Sequence, residues 1–323
     1  MAVVGAGIAG LAAGRELKLA GLKPVLFEKS RSPGGRVATR RKDGFVWDTG
    51  ATSIAPRGGD LLKFLFDASD SELVEITRPI YVHEGLRPSP GDPSRAALRR
   101  IVFRSGINRL GKLLGQGLDI RYETTIQALS YRGESYWLDD TPFDAVILTP
   151  PVPQVSTLLW GLDVSRPLAQ AQFRCCLSVL LGFKDPLDDL PYWALLDPSA
   201  SHPMQWLSVE SIKSPGRAPA GATSIVVQLS PSYSFEHYAT QESKVIADAV
   251  HYVKELYRGR LGDPVVSDLK RWKYSQPTAR ADFASVNPPG SRVLIAGDGV
   301  MGSRVEDAFE SGVLAARQLL EKL

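Results

Sequence analysis

The opening stretch Met1-Ala-Val-Val-Gly5-Ala-Gly7-Ile8-Ala9-Gly10-Leu-Ala-Ala-Gly14 constrains this chain more than any other. A short apolar run leads into Gly5-x-Gly7-x-x-Gly10 and on into alanine-rich sequence with helical spacing, which reads as strand, tight turn and helix. Each glycine has its own reason: Gly5 makes the turn, Gly7 lets backbone approach a pyrophosphate, and Gly10 lets the helix pack closely on the strand. A diphosphate would rest on free N–H groups where the helix begins, at Ile8 and Ala9, at the positive end of its dipole.

The surrounding residues support this reading. Ile8 to Ala20 has no interior proline, Gly21 suits the left-handed position past a helix end, and Pro24 follows as a stop. Val25-Leu26-Phe27 is then a short buried strand with Glu28 at its end. That acid lies about twenty residues beyond the glycines, the spacing of a carboxylate that accepts ribose hydroxyl bonds. A mere glycine-rich turn with a solvated glutamate would not require strand, helix, strand and acid to agree.

A length of 323 residues suggests two domains. With 38 basic against 35 acidic residues, the formal charge of +3 is too slight to argue for nucleic acid. The arginines around 36 to 42 and at Arg99, Arg100 and Arg104 could attract an anion or simply be solvated. The first apolar run lacks a positive leader, and no other stretch reaches the roughly 18 to 20 apolar residues of a membrane span. Cys175 and Cys176 are the only cysteines. Neighbours on a strand point to opposite faces, so we expect two unpaired thiols and a cytoplasmic protein. Four scattered histidines, His83, His202, His237 and His251, have no metal-ligand spacing.

After Glu28 the chain reads Lys29-Ser-Arg-Ser-Pro-Gly34-Gly35-Arg36-Val-Ala-Thr-Arg-Arg. Glycine fingerprint, terminal acid and Gly-Gly-Arg together resemble the FAD-binding opening of the flavin amine oxidase superfamily, with wording similar to renalase and its bacterial relatives. Phe45-Val-Trp-Asp48-Thr-Gly50-Ala51 resembles the superfamily's aromatic-x-Asp-x-Gly-Ala element, although Thr52 to Arg57 then replaces the bulky aromatics usual in renalase-like chains.

Further along, the pattern predicts a helix over 60–68, a strand around 75–83, a Pro/Gly-rich crossing over 86–93, a helix from Gly106 and a strand over 118–122, with Ile126 just beyond. A meander over 126–140 leads to a buried strand over 143–149. From about residue 153 to 287 we expect mainly strands, at 175–183, 204–210 and 224–229, and a helix over 241–258. Leu269-Lys-Arg-Trp272-Lys-Tyr274-Ser-Gln-Pro resembles the renalase strand between flavin and substrate. Arg292 to Gly297-Asp298 resembles the superfamily's closing FAD motif, and Ser303-x-x-Glu306 reads as a capping box before a long amphipathic helix.

The resemblance implies an α/β fold: a three-layer Rossmann-like domain with a parallel sheet and a β-meander, from residues 1–75, 97–155 and 287–323, and an α+β substrate domain on a mixed sheet, from 76–96 and 156–286. It implies non-covalently bound FAD held by Gly5, Gly7, Ile8, Ala9, Gly10, Glu28, Lys29, Gly34, Gly35, Arg36, Asp48, Gly50, Ala51, Ile126, Gly297, Asp298, Arg304, Val305, Glu306 and Ala308. Trp272 and Tyr274 would form the pocket wall. Hydride would pass to flavin N5, with dioxygen as reoxidant. Three readings stay open: a renalase-like oxidase of misreduced (2- or 6-dihydro) nicotinamide dinucleotides, an oxidase of small amines or another C–H donor, and a non-catalytic FAD-binding regulator.

Overall fold

The computed structural model describes residues 1–96, 98–162 and 164–321. Its first layer is a parallel sheet in the order Val293–Ile295, Val146–Leu148, Ala2–Val4, Val25–Phe27 and Asp119–Arg121. Three residues per strand suffice because both faces are covered, as the near-continuous apolar runs require. Alternation sorts the side chains. Val3, Leu26, Ile147 and Leu294 face one core with the helices, while Ala2, Val4, Val146, Leu148, Val293 and Ile295 face another that includes Leu129 and Leu138 of the antiparallel meander Leu129–Arg132, Ser135–Leu138 and Thr141–Phe143.

The helices Ile8–Leu19 and Val305–Leu320 cover the first face side by side. Glycine is needed where their backbones meet the rest of the fold. A Cβ on Gly10 would lie 1.9 Å from the Gly5 carbonyl oxygen, and one on Gly312 would lie 2.1 Å from that of Ala9.

A second, mixed sheet follows the order Val266–Ala279, Gln172–Phe183, Thr223–Leu229, Met204–Val209, Ala194–Leu196, Ile80–Glu84 and Arg87–Pro90. It is antiparallel except where 194–196 meets 80–84. The helix Glu242–Tyr257 buries Val245, Ala249 and Val253 against Leu177, Val179, Leu181 and Val227 on one face. On the opposite face Leu180 and Val226 meet Phe45 and Trp47, whose indole donates to the Leu181 carbonyl at 3.1 Å. Among the described residues, no helix is long and apolar enough to cross a membrane.

Several local expectations change. The strand expected over 75–83 is two strands: Leu73–Glu75 pairs with Ile101–Phe103, and Ile80–Glu84 joins the second sheet. Pro79, which has no N–H for a ladder, lies between them. The crossing over 86–93 contains Arg87–Pro90, whose prolines are tolerated because this strand forms a sheet edge. The helix expected from Gly106 begins at Arg109. The strand expected from 143 begins at Val146, Thr141–Phe143 having joined the meander. At the closing helix, Asp307 and not Glu306 accepts the cap N–H, that of Arg304, at 3.0 Å. The expected domain limits at residues 97 and 323 lie outside the described residues.

Candidate cofactor and substrate cleft

A cleft of about 1140 Å³ opens between the two sheets. One end is built by the first turn and the second strand. Gly5 has a φ of +96°, and a Cβ there would lie 2.6 Å from Thr149 Oγ1, which donates to the Val4 carbonyl. Gly34 forms a bridge with Gly7, and a Cβ on Gly35 would stand 3.2 Å from Gly7 Cα. Two chain segments thus approach more closely than side chains would allow, leaving backbone to line the wall. Gly7 is the N-cap of the first helix and has no side chain to cap it, so the helix presents its first turn to the cleft.

Glu28 is buried at this end, with Oε2 accepting from the Ala6 N–H and Oε1 from the Ser30 N–H, both at 2.8 Å. These two bonds fix the carboxylate and leave lone pairs for a ligand's hydroxyls. Further along the wall, Arg36 makes a bidentate pair with Asp298, both distances 2.6 Å, and donates to the Ser275 carbonyl at 3.0 Å. This ties the Gly-Gly-Arg turn to the closing motif. Lys29, Gly50, Ala51, Ile126, Gly297, Arg304, Val305 and Ala308 also line the cleft, as do Ile8 and Ala9.

Three expected site residues are placed elsewhere. Gly10 lies behind the wall, where it lets the helix approach Gly5. Glu306 faces a neighbouring cavity of about 560 Å³ and accepts the Arg57 N–H with both oxygens. Asp48 is fully buried: Oδ1 accepts from Thr39 Oγ1 and the Ile107 N–H, and Oδ2 meets Lys213 at 2.9 Å and Arg217 at 2.7 Å. Glu210 completes this cluster, at 2.6 Å from Lys213 and 2.7 Å from Arg217. Burial alone would raise the Asp48 pKa, but the two cations outweigh it and hold the group below its usual range. Asp48 therefore ties its strand to Lys213 and Arg217 and does not line the cleft.

The far wall is the edge strand Val266–Ala279. Its register against Gln172–Phe183 pairs Cys176 with Trp272 and Arg174 with Gln276, so an irregularity falls between these pairs. Such a bulge re-aims side chains, which explains how consecutive residues from Lys270 to Gln276 all line the cleft. Trp272 donates to the Thr49 carbonyl at 2.8 Å, and Tyr274 meets Phe173 edge-on with centroids 6.0 Å apart. The two cysteines line the cleft as unpaired thiols. Burial pushes Cys176 up to about 11 and raises Cys175 as well.

Sequence reasoning missed Arg174, Gln205 and Gln276, which meet at this wall: Arg174 donates to the amide oxygens of both glutamines. Gln276 falls in the stretch over 269–277 singled out in the sequence but was given no role there, and no motif marks Arg174 or Gln205. Only the sheet register brings residue 174 beside residue 276.

Among the described residues, the cleft wall contains nine basic side chains, Lys29, Arg31, Arg36, Arg40, Arg174, Lys270, Arg271, Lys273 and Arg304, against two carboxylates, Glu28 and Asp298. A cleft of this size, with backbone exposed at paired glycines, an uncapped helix start and an anchored carboxylate, fits a dinucleotide cofactor.

This is a two-sheet cofactor-binding architecture. The chain belongs to the family of flavin containing amine oxidoreductases, whose family model matches residues 8–103 and 95–320. It is similar to mitochondrial protoporphyrinogen oxidase of Nicotiana tabacum, 41% identical over 68 residues, which are 21% of this chain and 13% of that protein. A 4,4'-diapophytoene desaturase (4,4'-diaponeurosporene-forming) of Staphylococcus haemolyticus (strain JCSC1435) is 42% identical over 69 residues, again 21% and 13%. The chain thus spans about an eighth of the length of these curated relatives. Its fold is similar to that of a putrescine oxidase solved with putrescine bound, with a TM-score of 0.79 at 13% identity over 99% of this chain and 98% of that one.

Proposed function

We propose that this protein is a renalase-like, FAD-dependent oxidase that takes hydride from misreduced 2- or 6-dihydronicotinamide dinucleotides, with dioxygen as electron acceptor. We further propose that the parallel-sheet segments hold the cofactor, that the mixed sheet supplies the substrate wall, and that the protein is cytoplasmic. The bound flavin would supply the two-electron acceptor. The charge of the cleft carries the choice of substrate. Nine cations face two carboxylates, and both of those are engaged, Glu28 by backbone N–H groups and Asp298 by Arg36. A cationic amine would be repelled from such a wall, whereas the phosphates of a dinucleotide find charge-assisted partners there.

In this reading Glu28 orients the adenosine ribose, and the turn from Gly34 to Arg36 and the start of the first helix hold the FAD diphosphate. The closing helix directs its positive end at the flavin. Trp272, fixed by its bond to Thr49, and Tyr274, set by Phe173, shape the space for the donor ring.

Rapid mixing of the holoprotein with dihydronicotinamide isomers and with amines tests the reading. Isomers reduced at position 2 or 6 should bleach the flavin much faster than the ordinary 4-dihydro form, and added salt should weaken donor binding. Useful reduction by a simple amine with every isomer inert would establish the amine-oxidase alternative. Silence from all donors would point to a non-catalytic flavin binder.

The residues around the cleft support non-covalent attachment of the flavin. A thioether link would need a thiolate, which burial disfavours at both cysteines near the cleft, and a histidyl link would need a histidine there, where the described lining has none. Acid precipitation should release the yellow colour into the supernatant, and colour retained in the pellet would contradict the proposal.

A further inference from the structure

We infer that Arg174 is the docking point for an oxyanion on the substrate, a carboxylate or a phosphate, and so determines which hydride donors the cleft accepts. The inference rests on the anionic-donor reading above and goes further by assigning the charge to one residue. Three other cleft arginines have acidic neighbours: Arg36 pairs with Asp298, Arg40 with Asp268, and Arg271 lies 3.9 Å from Glu242. Arg174 donates only to neutral amide oxygens, those of Gln205 at 3.4 Å and of Gln276.

A guanidinium has five N–H donors, and these two bonds use two. Of the rest, Nε makes no hydrogen bond in the protein and is not among the buried polar atoms without a partner, and Arg174 as a whole is half-buried and lines the cleft. Neither cleft carboxylate is free to neutralise it: both Asp298 oxygens are on Arg36, and Glu28 is anchored by Ala6 and Ser30. The two glutamines hold the planar fork from the sides, which preserves its orientation without cancelling its charge. An oxyanion that offers two oxygens to the fork, as a carboxylate or a phosphate does, is its complement.

The test uses the holoprotein and follows the flavin absorbance band during titration with nicotinate, nicotinamide and inorganic pyrophosphate. Nicotinate and nicotinamide share a ring and differ in charge. One of the two oxyanions should bind at least about tenfold more tightly than nicotinamide, with an advantage that shrinks as salt is added. Preference for nicotinate assigns a carboxylate beside the ring, and preference for pyrophosphate assigns the dinucleotide bridge. In Arg174→Gln the advantage should vanish. In Arg174→Lys, which keeps the charge and loses the fork, it should persist but weaken severalfold. Equal affinity for all three probes in the unmodified protein, an advantage that survives Arg174→Gln, or a lysine variant with undiminished affinity would overturn the assignment. Absence of any oxyanion preference in the unmodified protein, with isomer bleaching intact, removes Arg174 from the scheme and leaves the donor reading standing. The converse result removes the donor reading alone.

Discussion

An Asp48→Asn protein should be less stable by roughly 3–5 kcal/mol, the usual cost of leaving a buried charge without its partner. Asp48, Glu210, Lys213 and Arg217 are all fully buried, two anions against two cations at 2.6 to 2.9 Å. Asparagine occupies the same space and removes one negative charge. The cluster also holds backbone from distant segments, since Arg217 donates to the Phe103 carbonyl and Lys213 to that of Thr52. Urea unfolding should show a lower midpoint with an unchanged slope. A loss under about 1 kcal/mol would mean that the two cations are stabilised in some other way.

The same residue predicts a pH dependence. The folded-state pKa of Asp48 lies below its ordinary value of 3.8, so the folded protein binds this proton less readily than the unfolded chain. Its contribution is fully present above that ordinary value and is lost as pH falls through the folded-state pKa. The stability gap between the unmodified protein and Asp48→Asn should therefore be constant near neutrality and narrow in strong acid, below about pH 4.

Glu28→Ala should weaken FAD binding by at least about tenfold, because each lost charge-assisted bond to a ribose hydroxyl is worth roughly 1.5–3 kcal/mol before hydration is discounted. The structure adds a second reason. The Ala6 and Ser30 N–H groups would lose their carboxylate partner, loosening the turns that shape the diphosphate wall. Glu28→Gln should fall between the two, since its amide oxygen can still accept. Reconstitution of the apoprotein, followed by flavin fluorescence, gives the dissociation constants. An unaltered value for a folded Glu28→Ala protein would show that this carboxylate does not hold the ribose.

The parallel sheet and its first turn were legible in the residues because their signals are local. The glycines from Gly5 to Gly10, the stop at Gly21 and Pro24, and the acid after Val25–Phe27 each express a backbone or spacing requirement within one short segment. The amphipathic helices Glu242–Tyr257 and Val305–Leu320 were legible for the same reason, since one face of each had to be apolar. That Asp48 is turned away from the cleft was not legible, because a motif specifies a neighbourhood in sequence and not the direction in which a carboxylate turns. Its direction depends on Lys213 and Arg217, more than 160 residues later. Of the cleft's far wall, Trp272 and Tyr274 were legible through the resemblance, whereas Arg174 and Gln205 escaped notice. Arg174 and Gln276 become neighbours through a strand register with a bulge, and a one-residue slip would turn either side chain to the other face. Backbone needs can be read along the chain, whereas the pairing of charges in this cleft was decided only when the two sheets came together.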